Sequence, residues 1–104
     1  MTNRDRSTLL LIEADAPTRE FLADNLIADG FDVLVAEAVE DGRALLERSF
    51  PDLVLLDGGL PGGAGFELLR HIREADGVAS RVDPTVPVLV VAARDAELDR
   101  LRAF

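Results

Sequence analysis

Four short aliphatic runs recur along the chain: Thr8–Ile12 (TLLLI), Asp32–Ala36 (DVLVA), Asp52–Leu56 (DLVLL) and Pro87–Ala93 (PVLVVAA). They are continuous rather than alternating, the pattern of parallel strands covered on both faces. Between them the apolar spacing becomes helical. The stretch PTREFLADNLIADG places Pro17 in a first helical turn, sets Phe21, Leu22, Leu26 and Ile27 on one side, and stops at Gly30. A second helix is predicted over Glu40–Ser49, with Ala44, Leu45 and the following Phe50 as its apolar positions. A third runs from about Gly65 to Ala75 with Phe66, Leu69 and Ile72 as its inward stripe, and a fourth begins near Asp95.

Strand and helix thus alternate four times, which calls for an α/β fold: a doubly wound parallel sheet with right-handed crossovers and helices on both faces. The connection Asp76–Pro87 (DGVASRVDPTVP) is the longest and reads as surface. Such sheets bind ligands at the carboxyl ends of their strands. The residues placed there are Glu13, Ala14 and Asp15, then Asp57, Gly58 and Gly59, then Ala92, Ala93, Arg94 and Asp95.

Composition narrows the function classes. A chain of 104 residues is one domain with a single core, and with 48% apolar but only 5% aromatic residues that core is aliphatic. A net charge of −9 argues against nucleic-acid binding by this domain, because a phosphate backbone demands a basic surface. The absence of cysteine removes disulfides and thiolate metal sites and is compatible with a cytoplasmic location. No run approaches the roughly 20 apolar residues of a membrane span. All 11 basic residues are arginine, so no lysine ammonium can act within this sequence.

Asp57 closes an otherwise apolar run, and the segment behind it, GGLPGGAG, lets the backbone approach whatever the carboxylate holds. That segment contains neither GxxxxGK nor GxGxxG, so alone it signifies a tight turn. A single acid after a strand is ordinarily a solvated loop residue or a helix cap. If the first and third strands are neighbours, however, Glu13 and Asp57 approach each other. Their repulsion would be relieved by a divalent cation with oxygen ligands such as Mg²⁺, which would also prepare a carboxylate for phosphoryl transfer.

From Leu9 to Phe104 the chain resembles the receiver domain of bacterial two-component response regulators. The most specific part is PDLVLLDGGLPGGAGFELLRHIR (Pro51–Arg73), which is similar to that family's phosphoacceptor strand, loop and third helix. IEADAPTRE matches the acidic pair after the first strand, and PVLVVAARDAELDR the fourth strand and following helix. The resemblance implies a flavodoxin-like sheet of order 2-1-3-4, with residues 1–104 forming a receiver that lacks strand five and helix five. It implies that Asp57 is the phosphoacceptor, that Glu13, Asp57 and the carbonyl of Gly59 surround Mg²⁺, and that a sensor histidine kinase supplies the phosphoryl group. It also implies a DNA-binding output domain in a longer parent chain, transcription regulation as the output, and no enzymatic activity of the receiver itself.

Three positions depart from the family. Ala14 replaces the second acid of the pair, a direct metal ligand, and losing it should cost at least the ~10-fold to 100-fold in affinity known for outer-shell partners. Ala92 stands at the switch position, where the family has a Thr or Ser hydroxyl. The lysine after strand five is missing. These departures keep a second reading open, a phosphorylation-independent pseudo-receiver acting as a protein interaction module. A third reading, an enzyme, rests on the loose echo of aspartate-based phosphohydrolases in Glu13, Asp15 and Thr18, with Glu at the nucleophile position and no supporting lysine. His71, the one histidine, falls on the third helix as a partly exposed surface residue.

A receiver ending after four strands would leave the fourth strand as an edge, which tends to pair with another chain. Homodimerisation or edge-strand association is therefore expected. Analytical ultracentrifugation should show self-association at high concentration, and a stable compact monomer there contradicts the expectation.

Overall fold

The computed structural model of the chain describes residues 6–60, 63–76 and 82–91. Seven elements follow one another: β1 (Thr8–Ile12), α1 (Ala16–Ala28), β2 (Asp32–Ala36), α2 (Val39–Ser49), β3 (Leu53–Asp57), α3 (Ala64–Arg73) and β4 (Val88–Val91). The four strands form one parallel sheet of order β2-β1-β3-β4, the expected flavodoxin-like arrangement. The fourth predicted helix lies outside the described residues.

Burial explains why the apolar runs are continuous. β1 pairs with β2 on one side and β3 on the other, and Leu9, Leu10, Leu11 and Ile12 are all buried. Leu10, Ile12, Ala36, Val54 and Leu56 face α2 and α3 and join Leu46, Leu68 and Ile72 in the core. Each fully buried aliphatic side chain contributes about 1.5–3 kcal/mol. The outer strands are covered less, leaving Val35 and Leu89 about half exposed.

Helix ends follow local chemistry. Asp15 caps α1 by accepting from the Thr18 N–H at 3.0 Å, and Pro17 sits in the first turn, where its missing N–H costs nothing. At the far end Gly30, at φ 100°, donates to Ile27 O and Phe31 donates to Leu26 O, the paired bonds of a Schellman motif. α2 ends at Phe50, held at φ 46° before Pro51; the proline disfavours helical backbone at the residue preceding it.

The helix stripes differ from expectation. On α1, Leu22 and Leu26 are half-buried, whereas Phe21 and Ile27 are exposed by 66% and 53%. Adjacent helical residues lie about 100° apart, so only one of each neighbouring pair faces the sheet. On α3 the buried line is Gly65, Leu68 and Ile72, with Phe66 and Leu69 half-buried beside it. Phe50 is about half exposed. The connection before β4 is not wholly surface either: Val82 and Val86 are buried in the core, and Arg73 at the end of α3 donates to Val86 O at 2.6 Å and Pro84 O at 3.0 Å.

α2 lies close enough to β1 that a Cβ on Gly42 would stand 2.5 Å from Cδ1 and 3.0 Å from Cγ1 of Ile12, a side chain with no exposed surface. Gly42→Ala should destabilise the fold by about 1–3 kcal/mol, despite alanine's better helix propensity. Chemical denaturation checks this; an unchanged or raised midpoint contradicts it.

Candidate functional site

The site is a consequence of strand register. β1 and β3 pair with Ile12 opposite Leu56, so the next residues, Glu13 and Asp57, come side by side at the carboxyl edge. Asp57 is the last residue of β3 rather than the first of the loop. It lies opposite Val91, and the neighbouring Gly58 N–H bonds Val91 O at 2.9 Å. A Cβ on Gly58 would meet Val90 Cγ1 at 3.2 Å and Val91 O at 3.3 Å, so the turn after Asp57 packs tightly on β4.

Glu13 is the one buried charged residue among those described, 7% exposed. Its N–H bonds Ala36 O at 3.0 Å, and its Oε2 accepts from the Asp15 N–H at 3.1 Å. Burial raises the pKa of its carboxyl; the Asp15 amide opposes that shift, while the neighbouring Asp57 carboxyl reinforces it. The partly buried Asp57 accepts from the Gly59 N–H through Oδ1 at 2.8 Å. The predicted neighbours Glu13, Asp57 and Gly59 are thus brought together.

Ala14 and Asp15 do not join them. Ala14 is exposed and carries only a methyl group. The Asp15 carboxylate is turned into the first turn of α1, where Oδ2 accepts from both the N–H and the hydroxyl of Thr18; these two bonds lower its pKa. Among the described residues, no three His, Cys, Asp or Glu side chains group as a cation site. The donors present are one carboxylate short of the metal set that the resemblance implies. Ala92, the switch position, lies outside the described residues.

Arg19 belongs to this site although the sequence reading did not single it out. Its Nη1 donates to Glu13 O at 2.9 Å and Ala14 O at 3.5 Å, and its Nη2 lies 3.8 Å from Glu37 Oε1. The guanidinium therefore fastens the turn that carries Glu13 and is not aimed at Asp57. An arginine within the first helical turn after a strand-end acid was the available signal, legible only once the turn is closed. His71 is half-buried on α3, at a groove with Arg43, Glu67 and Arg70, away from the acids.

The family model for the response regulator receiver domain matches residues 9–104. The chain belongs to this family. The receiver is 34% identical over 96 residues to the phosphate regulon transcriptional regulatory protein PhoB of Escherichia coli, an alignment covering 92% of this chain and 40% of that protein. It is 39% identical over 92 residues to the transcriptional regulatory protein AfsQ1 of Streptomyces coelicolor, covering 88% and 37%. The non-phosphorylated HemR receiver domain from Leptospira biflexa superposes with a TM-score of 0.74 at 30% identity, covering 95% of this chain and 74% of that one. The receiver thus spans about two fifths of the curated relatives it matches, and those relatives are transcriptional regulators. Among the described residues no helix is long and apolar enough to cross a membrane.

A raised Glu13 pKa means that the folded state holds this proton more tightly than the unfolded chain does. The site's contribution to stability is therefore full at pH below the ordinary glutamate value and declines as pH rises through the raised one. Glu13→Gln keeps an acceptor for Asp15 N–H and supplies a donor to Asp57 without the buried charge. Its Tm should exceed that of the unmodified receiver at pH 8 and converge with it at pH 4; a lower Tm at pH 8 contradicts the assignment.

Proposed function

We propose that this chain is the signal-receiving module of a two-component pathway in the cytoplasm, with Asp57 as the residue that accepts a phosphoryl group from a sensor histidine kinase. The observation that carries the reading is the position of Asp57: the last residue of β3, beside the buried Glu13, with its Oδ1 oriented by the Gly59 N–H. In the transfer a carboxylate oxygen of Asp57 bonds to phosphorus as the phosphorus–nitrogen bond of a phosphohistidine breaks. The imidazole leaves with the electron pair and takes up a proton. Family membership and the relatives' regulatory names support an output domain that controls transcription, joined to the receiver in a longer parent chain. The receiver itself turns over no substrate in this reading. Mg²⁺, which receiver domains generally use for phosphorylation, would find at Asp57 one carboxylate fewer than the family's set.

A second reading, a phosphorylation-independent interaction module, is favoured by one specific observation: Ala14 offers no carboxylate and Asp15 is committed to capping α1. The two readings separate on one measurement. Incubation with a small acyl phosphate should add a single phosphoryl group to the receiver, read by intact mass, and none to Asp57→Asn. No addition under saturating donor contradicts phosphoacceptance and leaves the interaction module.

A further inference from the structure

Three acids, Glu13, Asp15 and Asp57, lie at the ends of β1 and β3, yet their carboxyl groups are in different circumstances. Asp15 faces α1, and its Oδ2 holds both the Thr18 N–H and the Thr18 hydroxyl; turning it toward Asp57 would strip the helix of its cap. Glu13 and Asp57 do come side by side, but among the described residues no third acid joins them to make a cation site. Arg19 cannot substitute for a cation's charge, because its guanidinium is held on the carbonyls of Glu13 and Ala14. That leaves position 14, the one residue of the turn with neither a charge nor a packing role. It is exposed, so a longer side chain there displaces nothing from the core.

We infer that this pocket does not bind Mg²⁺ at millimolar concentration and that residue 14 decides this: alanine there supplies no oxygen ligand while Asp15 is held on Thr18, and an aspartate there would convert the same pocket into a divalent-cation site. The inference rests on reading the Asp57 pocket as the receiver site, but not on Asp57 being phosphorylated. It makes Asp15, the nearer acid in sequence, irrelevant to metal binding despite its full charge.

Titration of Mg²⁺ and Mn²⁺ into the whole chain, followed by calorimetry and by thermal shift, tests it. The unmodified receiver should give no saturable heat and no change in Tm. Ala14→Asp should bind either ion at a single site, at least about tenfold more tightly than any residual binding by the unmodified protein, and Ala14→Asp/Asp57→Asn should lose that binding. Asp15→Asn should leave the receiver unresponsive and its metal-free Tm unchanged, since asparagine caps as well as aspartate. Metal-free melting establishes that each variant folds; should Ala14→Asp not fold, Ala14→Asn supplies a neutral side-chain oxygen at the same place and should bind Mn²⁺ measurably. Saturable binding by the unmodified receiver that Asp57→Asn removes overturns the inference, as does a folded Ala14→Asp that ignores both ions. Metal binding by Ala14→Asp without phosphoryl uptake from an acyl phosphate would uphold the inference while refuting phosphoacceptance at Asp57.

Discussion

The whole site depends on the burial of one carboxyl group. Glu13 follows the most thoroughly covered strand of the sheet, and the register between β1 and β3 leaves it no position except beside Asp57. A buried charge is costly unless it is neutralised or well bonded. The fold meets that demand with the Asp15 amide on Oε2 and Arg19 fastening the turn from behind. Loss of the central position of β1 would expose the acid and remove the reason for the pairing. The chemistry of the pocket is thus a property of the sheet before it is a property of a motif.

The same constraint ranks the elements around the site. α3 begins against the end of β3, where a Cβ on Gly65 would stand 3.4 Å from Asp57 O, so the helix start packs closely on the strand tip. Arg73 ties the other end of α3 to the segment before β4 through two backbone carbonyls, and β4 receives the turn after Asp57 through Gly58. The side of the sheet bearing α2 and α3 is therefore the more fully packed one, carrying the main core cluster. α1 is attached more lightly: it buries no residue completely and is fixed by its Asp15 cap and its Gly30 stop.

Much of this was legible in the sequence, for physical reasons that can be named. β1 and β2 were readable to the residue because a two-sided strand must be apolar throughout, and Gly30 marked a helix end because only glycine enters that backbone region cheaply. Asp57 was placed one residue too late because polarity was taken as the end of the strand, whereas its backbone still pairs with β4. The inward line of α3 was misjudged because glycine carries no hydrophobic signal, although Gly65 is the residue that allows the closest approach. Val82 and Val86 were hidden in a connection rich in Pro and Asp whose fold depends on Arg73. The adjacency of Glu13 and Asp57 followed from strand order. The direction of the Asp15 carboxylate and the role of Arg19 could not be read, because both are set by closure of a turn that no spacing rule describes.

The central claim is that burial at the end of β1, beside Asp57, raises the pKa of the Glu13 carboxyl. Its most direct test is a carbon-detected NMR titration of the Glu13 Cδ resonance in the folded receiver. The account predicts that Glu13 loses its proton above the ordinary glutamate range. A Glu13 that titrates at its ordinary value would contradict it.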